Sequence, residues 1–303
     1  MTDAVLPTST LRMARRRSPL RRKAFPYLLV APAVLYLLAI TLYPGIFALW
    51  RSFYQGRFKL DFIGFQNYAD LFRDETFWHS LTNTLIIGGI TLVVEFVIAM
   101  TLAALVYRDP LVRGWRIVFL LPMLFMPSAV AYLFKLLFND GRVISDLLMR
   151  IGLVDHNIDF MGSTWLARGV LVVTDVWQWV PFLFIIFVAA LQGQDKEIEE
   201  AARLDGARWG QIFFAISLPL MRPVIAIALV LRGIDILTMF ASPHIITQGS
   251  PGGDTETVSY FIYRTGFKSF EFGYASAASV VVLILTIILA QSFVRRFFRS
   301  GRE

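Results

Sequence analysis

The chain has 303 residues, 56% of them hydrophobic and only 17% charged, with a mean hydropathy of +0.62. This profile excludes a water-soluble globular domain and fits a polytopic membrane protein. There is no cysteine, so disulfides, thiolate metal sites and cysteine nucleophiles are excluded; the net charge of +7 sits in tails and short loops beside apolar runs, where it reads as membrane topology and not as a nucleic-acid interface.

Residues 1–24 are basic and lack apolar periodicity, so they are expected to form a disordered cytoplasmic tail that sets topology, with anchoring to anionic lipid as the alternative. The apolar run from Tyr27 is longer than a signal-peptide core and lacks a small-residue cleavage site, which makes it a retained first helix. A hydrocarbon core of roughly 30 Å needs about 20 apolar residues in helical form. Six stretches approach that length: Tyr27 to Leu49, Leu81 to Tyr107, Trp115 to Leu137, Ala167 to Leu191, Pro223 to Phe240 and Tyr274 to Val294. No alternating strand pattern accompanies them, and unsatisfied backbone groups are costly in lipid, so the expected fold is an all-α membrane bundle over residues 25–298, followed by a short cytoplasmic tail, 299–303. With both termini inside, eighteen lysines and arginines lie on the cytoplasmic side against ten outside, leaving Arg232 within a span. Pro122, Pro127 and Pro181 are expected to kink their helices.

Between the fourth and fifth spans, Gln192 to Arg222 breaks the charge pattern. It carries Asp195, Glu197, Glu199, Glu200 and Asp205 against Lys196, Arg203, Arg208 and Arg222, net acidic on an otherwise basic side, so attraction to lipid is not its purpose. Asp195 is placed to cap a short helix whose first turn holds the glutamates, and Asp205-Gly206 is placed to end it. Two short helices joined at Gly206, with Ala201 and Ala202 leaving a smooth face, suit docking into a partner's groove; a solvated connector is the alternative.

Within the fifth span, Arg232 and Asp235 share a helix face and can neutralise each other or face a solute. Asp175, Trp177, Gln178 and Trp179 in the fourth span combine carboxylate, amide and aromatic groups, the set that binds sugars, although aromatics also form interfacial belts. Glu95 in the second span reads as an isolated carboxylate, facing water or a partner, or protonated.

Glu200-Ala-Ala, Gly206, and Ile216-Ser-Leu-Pro219 resemble the E-A-A-x-x-x-G…I-x-L-P loop of integral-membrane permease subunits of binding-protein-dependent ABC importers, and Asp205-Gly206-Ala207 matches the frequent D-G-A form. Thr247-Gln-Gly-Ser-Pro-Gly-Gly253 with Tyr263-Arg264, Asn139-Asp-Gly141 and Asp175-x-Trp177 are similar to the carbohydrate-type group that contains the maltose and glycerol-phosphate importers, with a departure at Gln248 and Ser250, where glycines are usual. The resemblance covers roughly residues 25–298. It implies a bacterial inner-membrane permease whose coupling helix, with Glu200, Ala201, Ala202, Asp205, Gly206 and Ala207, seats in a cytoplasmic ATPase. It further implies a second, distinct permease, two ATPase subunits that hold ATP and magnesium, and an extracytoplasmic solute-binding protein contacting the loops near Asn139 to Ala167 and Ser242 to Gly273. Glu95, Asp175, Trp177, Gln178, Arg232 and Asp235 become the candidate solute pathway.

The sequence holds no G-x-x-x-x-G-K-[ST] phosphate loop, so this chain is expected to bind no cofactor and to borrow its motor. An intramembrane enzyme acting on lipid-linked substrate would need a metal-ligand or nucleophile constellation, yet His79, His156 and His244 are scattered and read as ordinary loop residues. An ion-coupled secondary transporter could use Glu95, Asp175 or Asp235, but it leaves the acidic loop unexplained.

Overall fold

The computed structural model describes residues 19–139 and 143–299. Its helices, in chain order, are α1 (Pro19–Arg51), α2 (Gln66–Arg73), α3 (Glu75–Val106), α4 (Val112–Leu120), α5 (Pro127–Phe138), α6 (Val143–Arg150), α7 (Thr164–Gln192), α8 (Lys196–Leu204), α9 (Trp209–Ile212), α10 (Leu218–Leu220), α11 (Arg222–Leu237), α12 (Val258–Tyr263) and α13 (Phe272–Arg299). A two-residue hairpin, β1 (Tyr54–Gln55) with β2 (Asp61–Phe62), follows α1 and pairs Tyr54 with Phe62. Four helices are long and apolar enough to cross a membrane, or up to six if each of two bent pairs counts as one span. The expected all-α membrane architecture is therefore present. Residues 1–18 and 300–303 of the expected tails lie outside the described residues, and α1 begins at Pro19, so residues 19–24 are helical.

Contacts divide the chain into two units, one ending at Phe47 and one spanning Ala48–Glu303. The first consists, where described, of α1 up to Phe47, with apolar side chains such as Leu35, Tyr36 and Ile40 exposed. In the second unit α7 is the central helix. Of its most apolar stretch 61% is buried, against 33% in α3 and 28% in α13.

The largest helix interface joins α3 and α7. On α3 the buried stripe runs Phe77, Ser80, Thr84, Ile87, Thr91, Glu95, Ala99 and Ala103, at the three- and four-residue spacing of a single helix face. Its small and polar members let backbones approach closely, while Leu85, Val93 and Val97 point outward, as expected where lipid rather than water is the solvent. Towards the α8 end of α7, Ala99, Ala103, Phe184, Phe187, Leu191, Met221 and Ile225 form the main apolar core.

The third predicted span is not one straight helix. Its two halves, Gly114–Leu124 and Pro127–Phe138, meet at 86°. Met126 is extended and Pro127 starts α5, so the missing N–H falls where no helical bond is needed. The fifth span bends by 66° between Trp209–Leu220 and Arg222–Leu237, with Pro223 in the first turn of α11. Pro181, by contrast, is accommodated inside the continuous helix α7.

Gly273, at the start of α13, packs against the hairpin. A Cβ there would stand 1.9 Å from the carbonyl oxygen of Tyr54 and 3.1 Å from Nδ2 of Asn67, the buried amide that bonds Ser52 and Tyr54 carbonyls at 2.7 and 3.3 Å. Because the obstacle is backbone, Gly273→Val is expected to cost about 1–3 kcal/mol. The measurement is the thermal midpoint of the detergent-purified chain, which should fall by several degrees.

Candidate functional site

Two regions gather the predicted residues. The first is α8 with its turn. The Asp195 carboxylate accepts from the Glu197 N–H at 3.3 Å and caps the helix. At the other end Ala207 N–H reaches the Ala202 carbonyl and Gly206 N–H the Arg203 carbonyl, both at 3.0 Å, which is the paired pattern of a Schellman cap. That cap needs a left-handed residue, and Gly206 supplies it at φ +81°.

Not one residue of α8 is buried within the chain. Glu199 pairs with Arg108, just beyond α3, and with Arg203 at 3.2 Å, while Ala201 and Leu204 stay exposed. A cavity of about 470 Å³ separates α8 from the bundle, lined by Tyr107, Arg108, Ile198, Glu199, Glu200, Arg203 and Ile216 among others. An isolated nine-residue helix is marginal in water. Caps and a few ion pairs hold α8, so its outer face is free to meet another molecule.

The second region lies near the middle of α7. Arg232 of α11 is 2% exposed and sits among three carboxylates. Its Nε donates to Glu95 Oε2 and its Nη2 to Glu95 Oε1, each at 2.9 Å; Nη2 also donates to Asp175 and Nη1 to Asp235. The guanidinium lies 5.1 Å from the centre of the Trp179 ring. Glu95 is thus not isolated: it is fully buried and held in a two-pronged pair with Arg232, 137 residues away in sequence. Asp235 pairs with Arg232 as its spacing suggested, yet its side chain stays 46% exposed.

Beside this cluster is a cavity of about 250 Å³, walled by Asp175, Gln178, Trp179, Arg232, Asp235 and Phe240 among others. Of the six pathway candidates, Asp175, Gln178, Arg232 and Asp235 line it. Glu95 lies behind Arg232, and Trp177 faces another way, its ring tilted against those of Phe125 and Phe134, and lines an apolar groove with Val94, Ile98 and Pro181. Trp179 takes the place expected of Trp177. Gln178 spends one N–H on the Phe125 carbonyl at 3.0 Å, fixing the broken third span to α7.

Other residues near this site were not anticipated. His244 is not a loop residue but part of a helical turn, Pro243–Thr247, and with Phe240, Tyr260 and Tyr263 it forms an aromatic group whose ring centres are 5.0–6.5 Å apart. Burial, with Lys268 and Lys135 nearby, holds the His244 imidazole below its ordinary pKa. His79 likewise lies in helix α3, and its Nε2 stands 3.1 Å from Asp254. At the end of α7 away from α8, the segment between the Pro243–Thr247 turn and α12 is tied down. Asn83 donates to the Gly253 and Glu256 carbonyls at 2.9 and 3.3 Å and accepts from Arg168 at 2.8 Å, and Thr164 donates to Asp254 at 2.6 Å. Gln248 keeps the left-handed conformation, φ +52°, where the related pattern has glycine. Asn83→Ala would strand the buried Arg168 N–H and the Glu256 carbonyl, each worth about 1–3 kcal/mol, while the Gly253 carbonyl keeps the Glu256 N–H at 3.0 Å. Limited proteolysis is expected to cut between Gln248 and Asp254 in that variant well before it cuts the parent.

The family described as "Binding-protein-dependent transport system inner membrane component" matches residues 95–302. The probable ABC transporter permease protein YurN of Bacillus subtilis (strain 168) is 34% identical, covering 93% of this chain and 99% of the relative. The lactose transport system permease protein LacF of Rhizobium radiobacter is 31% identical over 91% of this chain and 94% of its own. A solved bacterial alginate ABC transporter, in complex with an alginate pentasaccharide-bound periplasmic protein, superposes with a TM-score of 0.82 at 23% identity, covering 93% of this chain and 97% of the other, and shows the same fold. On this match and on the fold above, the chain belongs to the family of inner-membrane components of binding-protein-dependent transport systems.

Proposed function

We propose that this chain is one of two permease subunits of an ATP-driven importer for a sugar, polyol or sugar derivative in a bacterial inner membrane, with both termini cytoplasmic. The observation that carries the reading is α8, a doubly capped helix with no buried residue, placed after the central helix α7 and bearing the Glu200-Ala-Ala…Gly206 pattern. In this role Glu200, Ala201, Ala202, Asp205, Gly206 and Ala207 form the coupling element that seats in a separate ATPase subunit. That subunit, present twice, holds ATP and magnesium and does the chemistry. Its closure moves α8 as a lever, and the bundle alternates between inward- and outward-open states.

The cavity at Asp175, Gln178, Trp179, Arg232 and Asp235 is the wall this chain contributes to the solute path. Its volume of about 250 Å³ is below the roughly 300–1,000 Å³ of complete small-molecule sites, which suits a path completed by a second, distinct permease. A carbohydrate solute follows from the cavity's hydroxyl acceptors and aromatic ring and from relatives such as LacF, a lactose system's permease. An extracytoplasmic solute-binding protein would deliver it to the end of the bundle where Asn83, Arg168 and Asp254 fasten the loop.

The test is purification with co-expressed neighbouring gene products, followed by reconstitution in proteoliposomes. An ATPase subunit should co-elute, and uptake should require ATP and the binding protein. Uptake by the chain alone, driven by an ion gradient, would contradict the reading and favour a secondary transporter.

A further inference from the structure

The only cation among the described residues that line the solute cavity is Arg232, and four of its five N–H donors already point at this chain's own carboxylates. Its flat face lies towards Trp179. The one remaining hydrogen, on Nη1, sits beside Asp235, whose side chain is the exposed member of the cluster. An anionic group approaching that hydrogen would also meet the Asp235 carboxylate. With one guanidinium among three carboxylates, ionisation of any one of them leaves the cluster with no net positive charge.

We infer that this wall admits neutral polyhydroxyl solutes and turns away sugar phosphates and uronates, with Asp235 as the residue that sets the preference. This deepens the carbohydrate reading and rests on the cavity lying on the solute path. Neutral hydroxyls are served by the half-exposed Asp235 carboxylate, by the free amide oxygen of Gln178 and by the Trp179 ring, against which the C–H faces of a sugar can stack. Like charges about 4–6 Å apart at an effective dielectric near 20 repel strongly enough to shift relative binding by roughly tenfold or more.

The probes are three sugars on one ring: methyl glucoside, glucuronate and glucose 6-phosphate. Each is added at equal concentration to the complete detergent-purified complex without its binding protein, and contact is read by saturation-transfer NMR. The part of the signal lost in Trp179→Ala marks this cavity, and assembly of each variant is checked by size-exclusion chromatography. Methyl glucoside is expected to give a Trp179-dependent signal about tenfold above either anion, and Asp235→Asn to bring glucuronate within about twofold of it. A Trp179-dependent signal from either anion equal to that of methyl glucoside would overturn the inference while leaving the carbohydrate reading standing. So would an unchanged preference in Asp235→Asn. No Trp179-dependent signal from any probe would remove the cavity from the solute path, and both readings of it would fall.

Discussion

Arg232→Leu is expected to prevent the chain from accumulating as a folded protein, not merely to slow transport. The parent holds one guanidinium against Glu95, Asp175 and Asp235, with Glu95 fully buried and Asp175 nearly so. Removing the cation leaves the two buried carboxylates, Glu95 and Asp175, without a counter-charge. Breaking a buried ion pair from one side typically costs about 3–5 kcal/mol, a large share of the roughly 5–15 kcal/mol that stabilises a folded protein. Arg232→Lys should rescue poorly, because a single ammonium lacks the planar fork that meets both Glu95 oxygens. Neutralising the partners should rescue well: Arg232→Leu with Glu95→Gln and Asp175→Asn removes the stranded charges. Detergent size-exclusion chromatography of fluorescently tagged variants reads the outcome as a monodisperse peak lost in the single variant and recovered in the triple. An alanine at 232 is accordingly a poor probe of solute contact, since any loss of uptake would come with a loss of assembly.

Gly206→Pro is expected to leave the bundle folded and to uncouple it from its motor. A side chain at 206 meets no atom within 4 Å, so nothing clashes. The damage lies in the backbone: proline fixes φ near −65° where the cap needs +81°, and it deletes the N–H that bonds the Arg203 carbonyl at 3.0 Å. The Schellman cap is then lost and α8 leaves its path towards α9. If α8 carries the coupling, losing a typical coupling energy of about 1–3 kcal/mol corresponds to roughly 5–150-fold in solute-stimulated ATP hydrolysis by the reconstituted complex. Gly206→Asn, which tolerates the left-handed region, should retain most of the stimulation. Equal loss in both variants would point to a damaged surface and not to the cap.

How far the sequence could be read follows from the range of each interaction. Asp195 and Gly206 announce α8 because capping is local chemistry, decided within a turn of the residues concerned. Arg232 and Asp235 were pairable by their i, i+3 spacing. Glu95 was not placed, because its partner lies 137 residues away and hydropathy carries no information on which helices meet. Trp177 was preferred to Trp179, yet two residues on a helix are about 200° apart and only one can face the cavity; which one depends on how α7 is rotated against α3 and α11. The six apolar stretches were visible by length, whereas the 86° break at Pro127 was visible only as a proline. Asn83 and Arg168 gave no signal: a lone amide in an apolar helix and a loop-edge arginine become a fastening only when Asp254 and Glu256 arrive from far along the chain.

Seating of the outer face of α8 in an ATPase subunit can be measured directly, because the sequence holds no cysteine. Leu204→Cys places a single thiol on a residue 90% exposed in this chain, and Phe58→Cys places one on a residue equally exposed outside α8. Maleimide labelling of each variant is compared for the chain alone and for the complex purified with its ATPase. Labelling at position 204 is expected to be blocked in the complex and unchanged at position 58; equal labelling of both positions in the assembled complex would show that α8 does not seat in the ATPase.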